Sequence, residues 1–177
     1  MAFKLFDDKF REPTALVGLS LVAVFAAGCT AIFSKSSSEK YRARVVAAAV
    51  KEPWGSPRVT EYWRDVLSAV DFLTPPKDWC GGFALWALHR AGLGLDLKWT
   101  VGSGFLWKLP TTTDPKPGDI AYFTHNQHQA IVRSIVGNQV NLINGNGSNG
   151  KITPSQVDKS AVTAFYNIEP LIQKAVA

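Results

Sequence analysis

The chain has 177 residues, of which 46% are hydrophobic, so it is long enough for one domain and apolar enough to bury a core. Its 19 Lys and Arg residues outnumber its 14 Asp and Glu residues and give a net charge of +5, without a dense basic run. Since no basic motif is interleaved with aromatic residues, we expect no nucleic-acid binding.

An uncharged segment of 19 residues lies near the N-terminus, over 15–33. At ~1.5 Å per residue it is just long enough to cross the ~30 Å core of a bilayer. Three interpretations remain open: a signal anchor, a cleaved export signal, and a lipoprotein signal with Cys29 at the modified position. A buried core helix is disfavoured because the segment has no amphipathic face. Basic residues lie on both sides, so charge does not fix the orientation.

The segments that follow divide into predicted helices and then predicted strands. We predict an N-terminal tail over 1–14, the transmembrane or signal segment over 15–33, a polar linker over 34–38 and one domain over 39–177. A capping-box pattern at Ser36 and Glu39 predicts the start of the first helix. Helices are predicted from there to Pro53, over 59–70, and from Trp79 and Cys80 to Gly92; strands are predicted over 119–123, 128–136, 139–143 and 162–168. Helices followed by an antiparallel sheet indicate the α+β class.

Cys80 is a nucleophile candidate, because it is a lone cysteine outside the apolar segment and histidines occur elsewhere in the chain. It falls at the first turn of the third predicted helix. Unpaired backbone N–H groups and the helix dipole are expected there to lower the pKa of the thiol. The structural alternative is a small, buried, apolar cysteine at a helix start.

His128 is the base candidate, because it opens an otherwise apolar strand, and a sheet fixes the position of such a side chain. His125 lies in a polar loop, where a solvated side chain is expected. His89 lies near the end of a helix and is expected at the surface.

Asn144 ends the strand that would pair with the one that His128 opens. A two-residue turn at 137–138 would put Asn144 on the face opposite His128, because side chains alternate along a strand. A longer loop or a bulge would pair Asn144 with Val132 and turn both Asn144 and Asn146 towards His128. We predict the longer loop or the bulge, since an amide on that face could fix the tautomer of the imidazole.

Taken together, these segments resemble the CHAP family, the cysteine, histidine-dependent amidohydrolases/peptidases, over roughly 45–168. The matching segments are WCGGF over 79–83, PGD over 117–119, HQAIV over 128–132 and INGN over 143–146. The resemblance implies a papain-like α+β fold with N-terminal helices packed on an antiparallel sheet. It also implies no metal or organic cofactor, and amidase or endopeptidase activity on peptidoglycan.

Carried over by position, Cys80 would be the nucleophile, His128 the base, Asn144 the residue that orients the imidazole and Asn146 a further polar residue of the site. Asn144 stands where many family members carry Glu, and Gly81-Gly82 replaces the usual small Ala or Ser residues. Further candidates for contacting substrate or the oxyanion are Asn146, Trp79, Asp78 and Trp107, and Trp54, Trp79, Trp99 and Trp107 are candidates for groove walls.

The expected function is that of a peptidoglycan hydrolase, of bacterial or phage origin, anchored in a membrane through residues 15–33. Its catalytic domain would lie on the periplasmic or extracellular side, or in a virion membrane. The alternatives are a non-catalytic anchored module for wall binding or virion structure, and an acyltransferase or protein protease on the same fold.

Overall fold

The computed structural model describes residues 35–55, 57–66, 78–93 and 106–177, apart from the side chain of Trp107. The predicted membrane or signal segment over 15–33, with Cys29, lies outside these residues, as does Trp99. Within the described ranges, none of the helices is both long enough and apolar enough to cross a membrane. The chain divides into two units between Ser34 and Lys35, and all the described residues belong to the second unit.

The described unit contains four α-helices and a six-stranded sheet in its described ranges. The helices are α1 (Ser37–Lys51), α2 (Val59–Val66), α3 (Cys80–Arg90) and α4 (Glu169–Val176). The strands are β1 (Thr111–Thr112), β2 (Ile120–Phe123), β3 (His128–Val136), β4 (Gln139–Asn144), β5 (Thr153–Asp158) and β6 (Ala164–Tyr166). They pair antiparallel in the order β1-β6-β2-β3-β4-β5, which confirms the α+β class.

The start of α1 and the end of α3 follow the sequence signals. Ser36 accepts a hydrogen bond from the Glu39 backbone N–H, and the Glu39 carboxylate accepts one from the Ser36 N–H at 2.8 Å, which is the predicted capping box. The helix therefore takes in residues 37–38 of the predicted linker. At the end of α3, Gly92 has φ of +83°, and the Leu93 N–H donates to the Leu88 carbonyl, as in a Schellman motif.

The two faces of the sheet carry separate apolar clusters. On one face Ile120, Ile131 and Ile143 lie side by side across three strands and pack against residues of α1 and α3. The other face carries a second cluster, which includes Ala130 and Phe165. Because successive side chains of a strand alternate between faces, a side chain's position in this register decides which cluster it joins.

Three elements were not predicted from sequence, namely β1, β5 and α4. β5 contains Pro154, which argues against a central strand, but β5 lies at an edge of the sheet, where Pro is tolerated. β1 is the other edge and has only two residues. The predicted strand over 162–168 is shorter in the structure, where β6 covers three of its residues and Ile168 caps α4.

The buried Arg42 joins α1 to the sheet and to α4. Its guanidinium donates to the Asp119 carboxylate at 2.7 Å, and it also binds Glu169 at 3.1 Å. Asp119 accepts further hydrogen bonds from the backbone N–H groups of Lys116 and Ile168. The aspartate of the PGD segment thus anchors two helices, and its partner Arg42 was not singled out from sequence.

Candidate active site

Cys80 is the first residue of α3 and is only 8% exposed. Burial raises the pKa of its thiol, and this effect outweighs the hydrogen bonds from the backbone of Gln129 and Gly81, which lower it. The sequence-based expectation of a lowered thiol pKa is therefore wrong in direction. The start of this helix lies among apolar side chains, so the cost of removing a thiolate from water exceeds the contribution of the backbone N–H groups.

Gly82, the second glycine after Cys80, lies at a close contact between two helices. A Cβ added at Gly82 would lie 2.8 Å from the ring of Trp63, which real Cβ atoms essentially never do. Trp63 is buried in α2, so glycine at this position allows α2 and α3 to pack closely. At position 82 the departure from a small Ala or Ser residue is thus accounted for by helix packing.

His128 is the first residue of β3 and is half-buried, with its ring centroid 6.2 Å from that of Phe123. Burial lowers the pKa of the imidazole, and the hydrogen bond with Asn144 opposes this shift. Since the ordinary pKa of histidine is about 6.5, the lowered value makes the neutral imidazole the main form near neutral pH.

Asn144 determines which nitrogen of that imidazole carries the proton. Its Oδ1 lies 3.0 Å from His128 Nε2, and its Nδ2 donates to the Thr153 carbonyl and to Ser155 Oγ, each at 2.9 Å. A carbonyl can only accept, so Nδ2 must face Thr153 and Oδ1 must face the imidazole. The neutral imidazole is therefore protonated at Nε2, and Nδ1 keeps a lone pair that can accept a proton.

The β3–β4 hairpin reaches this arrangement through a bulge. Val136 pairs with Gln139 across a two-residue turn, and the register then shifts between Val132 and Ser134. The extra residue lies in β3, so Asn144 pairs with Ala130. The predicted bulge is confirmed and puts Asn144 on the face of His128, whereas the predicted pairing with Val132 is wrong because the extra residue was expected in the loop or in β4.

The start of α3 meets the end of the sheet that carries His128 and Asn144. The Cys80 sulfur is hydrogen-bonded by the backbone of Gln129, the residue that follows His128. At the end of β4, a Cβ added at Gly145 would lie 2.5 Å from Cβ of Phe83, in the first turn of α3. The thiol thus lies beside the strand residue next to the imidazole, with its own hydrogen bonds made to backbone groups.

The other predicted site residues lie in different environments. Trp79 is only 5% exposed and packs on the rings of Tyr62 and Phe83, so it belongs to the core and does not form a groove wall. Asp78 is exposed, and its charge raises the pKa of Cys80, which disfavours the thiolate. Asn146 is half-buried and lies in a turn two positions after Asn144, where its backbone is left-handed with φ of +54°.

Two tryptophans and two histidines complete the set of candidates. Trp54 is 38% exposed, in the loop after α1. The side chain of Trp107 lies outside what the structure describes. His125 and His89 are both exposed, as the sequence indicated.

Two site residues were missed from sequence, Thr153 and Ser155 of β5. They accept both hydrogen bonds of the Asn144 amide and so fix its orientation. The sequence signal available was the pair of β-branched residues Thr153 and Val157, four positions apart, and Pro154 between them obscured it.

Chemically, the arrangement offers a thiol, a neutral imidazole with a defined proton acceptor, and an amide that fixes that imidazole. These are the components of nucleophilic catalysis by a cysteine. Among the described residues, no group of three or more His, Cys, Asp and Glu side chains is placed to hold a metal ion. Comparison of the chain with protein-family models, with curated proteins and with solved structures found no significant match.

Proposed function

We propose that this protein is a cysteine hydrolase with a papain-like fold that cleaves amide bonds of peptidoglycan, in the stem peptide or its cross-bridge. The observation that supports the proposal most is the hydrogen bond that His128 Nε2 donates to Asn144 Oδ1. It leaves Nδ1 as a proton acceptor at the end of the sheet where the Cys80 sulfur lies. Peptidoglycan as substrate comes from the CHAP resemblance. In the same proposal, residues 15–33 anchor the chain in a membrane, with the domain on the periplasmic or extracellular side or in a virion membrane.

The resting thiol and imidazole are both neutral in this proposal. Burial raises the pKa of Cys80 and lowers that of His128, so a preformed thiolate–imidazolium pair is disfavoured near neutral pH. His128 Nδ1 instead takes the thiol proton as the sulfur attacks the amide carbonyl. This step requires Nδ1 and the sulfur to come within hydrogen-bond distance, directly or through one water.

The remaining steps return the site to its starting state. The new imidazolium gives its proton to the leaving amine as the C–N bond breaks, which leaves a thioester on Cys80. His128 then removes a proton from water, and the hydroxide attacks the thioester and releases a carboxylic acid and the thiol. The Cys80 backbone N–H, at the helix start, is a donor for the oxyanion. Asn144 holds the imidazolium by a hydrogen bond without the charge that a Glu would supply.

A second candidate is a non-catalytic anchored module that binds wall polymer or serves in virion structure. The burial of Cys80 and its raised thiol pKa favour this alternative, because an inert structural cysteine has both properties. The two candidates differ in whether Cys80 is needed for chemistry or only for packing.

The experiment is digestion of purified sacculi by the full chain, followed by mass spectrometry of the soluble muropeptides. We expect products with newly formed amine and carboxyl ends, and loss of at least about a thousandfold in rate for Cys80→Ala. Cys29→Ala is the matched control, because it removes the only other cysteine of the sequence and should keep the hydrolytic rate. Undiminished digestion by Cys80→Ala, with its fold verified by circular dichroism, would contradict the proposal.

A further inference from the structure

The outward face of α1 carries a row of basic side chains. Three exposed cations recur there at helical spacing: Lys40, Arg44 and Lys51. At ~100° per residue they fall within about 40° of one line along the helix. The buried side of α1 lies opposite this row, since Val45 and Ala49 belong to the apolar cluster shared with α3 and the sheet. The basic row therefore points away from the core.

This row is not neutralised by the described part of the domain. None of its three cations forms an ion pair within the described ranges, whereas the buried Arg42 of the same helix binds two carboxylates. Arg44 instead places its guanidinium over the ring of Tyr41, 5.1 Å from the centroid. Glu39 is the one acidic residue of α1, and its carboxylate accepts from the Ser36 N–H in the capping box. The outward face of α1 thus presents an excess of positive charge to its surroundings.

Two exposed apolar side chains lie at the C-terminal end of the same helix. Val50 is 37% exposed in the last turn, and Trp54 is 38% exposed in the loop that follows. Tryptophan is enriched where a membrane meets water, because its ring is apolar and its N–H is polar. Cations next to an exposed indole suit the head-group region of an anionic bilayer.

The place of α1 in the chain favours a bilayer over a soluble anionic polymer. The uncharged segment over 15–33 ends three residues before α1 begins at Ser37. At no more than ~3.6 Å per residue, these residues carry Ser37 at most about 14 Å from the end of that segment. With 15–33 as the anchor of the proposed function, the first turn of α1 is consequently kept near the head groups.

We propose that the outward face of α1 docks on the head groups of anionic phospholipids, through Lys40, Arg44 and Lys51, with Trp54 at the interface. Each basic side chain near an anionic membrane surface contributes about a fivefold factor to binding, so the three together supply about a hundredfold. An anchor alone does not fix the orientation of a domain, whereas an anchor and a docked helix do. The docking surface rests on the membrane location in the proposed function and goes beyond it by assigning the face of the domain that meets the lipid.

The test is quenching of an environment-sensitive fluorophore attached to Ala47→Cys, in the middle of the basic row. The full chain carries Cys29→Ala and Cys80→Ala, which remove its two own cysteines, and the vesicles contain a phospholipid with a nitroxide on its head group. We expect strong quenching when the vesicles contain phosphatidylglycerol and little when they contain phosphatidylcholine alone. The matched label is on Ala161→Cys, which is exposed and adjacent to Val162 of the cluster on the other face of the sheet, and it should be quenched little in either case.

Two variants with equal net charge identify the cations responsible. The first carries Lys40→Gln, Arg44→Gln and Lys51→Gln, and should lose the preference for phosphatidylglycerol as the docking equilibrium falls about a hundredfold. The second removes three exposed cations outside α1 and should keep the quenching: Arg64→Gln, Arg133→Gln and Lys151→Gln. Equal quenching in the two kinds of vesicle, equal quenching of the two labels, or equal behaviour of the two charge variants would each overturn the docking surface.

The anchor is measured separately, by flotation of the full chain with phosphatidylcholine vesicles in ~1 M salt, where the screening length is only about 3 Å. A chain that floats in salt, but whose label at Ala47→Cys is not quenched at low salt, would overturn the docking surface and leave the anchor standing. Quenching at low salt without flotation in salt supports the docking surface and contradicts the anchor. Digestion of sacculi by the chain that retains Cys80 reports on the hydrolase independently of both.

Discussion

The helix side and the sheet side of the candidate site differ in what surrounds their reactive groups: apolar rings surround Cys80, whereas hydrogen bonds hold His128. On the helix side, Cys80 opens α3 among buried aromatic rings, and the burial of its sulfur raises the pKa of the thiol. On the sheet side, a chain of hydrogen bonds joins His128 to Ser155: Asn144 accepts from His128 Nε2 through Oδ1 and donates to Ser155 Oγ through Nδ2. Burial therefore opposes ionisation of the thiol on the helix side, and in the proposed mechanism the imidazole on the sheet side takes its proton.

This difference indicates where reactivity has to originate. A helix N-terminus alone does not make a thiolate when its surroundings are apolar, because desolvation opposes the charge. When thiol and imidazole are both neutral at rest, the imidazole takes the thiol proton as the sulfur attacks the substrate, because the attack consumes the thiolate. The proposed reaction consequently requires the Cys80 thiol and the His128 imidazole to keep a fixed relative position. Substitutions at the contacts between helices and sheet test this requirement.

The largest effect is expected from removing the ion pair that ties the helices to the sheet. Arg42→Met keeps the length of the side chain but leaves the Asp119 carboxylate buried without its counter-charge. Loss of one partner of a buried pair costs about 3–5 kcal/mol. We expect chemical denaturation to show a drop in the free energy of unfolding of that size. The matched comparison is Arg64→Met, because the Arg64 side chain is 69% exposed and lies 3.6 Å from the partly exposed Asp65, so its loss should cost much less. Equal effects of the two substitutions would contradict the assigned role of Arg42.

The next effect concerns the close contact between the end of β4 and the first turn of α3. Gly145→Ala would place a Cβ 2.5 Å from Phe83 Cβ and force the helix away from the sheet. Such overpacking costs about 1–3 kcal/mol. We expect a lower melting temperature together with slower hydrolysis, since the thiol and the imidazole would separate. Gly55→Ala is the control, because nothing lies within 4 Å of its added Cβ, and its stability should be nearly unchanged.

A smaller effect is expected from Asn144→Ala, which removes the hydrogen bond that fixes the His128 tautomer. The hydrolytic rate should fall about 10- to 100-fold, corresponding to one lost hydrogen bond in a buried site. Because the Asn144 hydrogen bond raises the pKa of His128, its removal should lower that pKa further. NMR titration of labelled histidine measures this shift. Asn141→Ala, in the same strand but bonded to Ser134, should leave the His128 titration unchanged.

The smallest effect is a pH dependence of stability at the contact between α1 and α4. Hydrogen bonds from Ser38 and Arg42 hold the pKa of Glu169 below its ordinary value. A lowered folded-state pKa stabilises the protein above the unfolded-state pKa of ~4.3, and this stabilisation is lost as pH falls through the folded-state pKa. Glu169→Gln should therefore flatten the decline of the free energy of unfolding in acid, by about 1 kcal/mol or less for this partly exposed pair, as measured by chemical denaturation at several pH values. An unchanged decline would show that Glu169 does not contribute to it.

Local sequence signals predicted much of this fold. The capping box at Ser36, the glycine that ends α3 and the strand that begins at His128 are all formed as expected. Each depends on residues a few positions apart in the chain, so the physics that decides them is visible in a short window. The alternation rule also required a longer loop or a bulge for Asn144 to face His128, and the hairpin has a bulge.

The features that were not predicted from sequence depend on contacts between segments that are distant in the chain. Pro154 obscured β5, because only the position of a strand at the sheet edge makes proline acceptable. The thiol pKa was predicted in the wrong direction, because burial of Cys80 is set by tertiary packing that the helix-start signal does not contain. Arg42 looked like one of many scattered basic residues until its buried partner Asp119 was placed 77 positions away.

The central claim is that the imidazole of His128 removes the thiol proton of Cys80. It is tested most directly by the rate of Cys80 alkylation with iodoacetamide between about pH 5 and 10, compared in the Cys29→Ala chain with and without His128→Ala. We expect the chain with His128 to gain reactivity as pH rises through the lowered His128 pKa, below ~6.5. The His128→Ala chain should gain it only at the raised pKa of the thiol. Superimposable pH profiles for the two chains would contradict the claim.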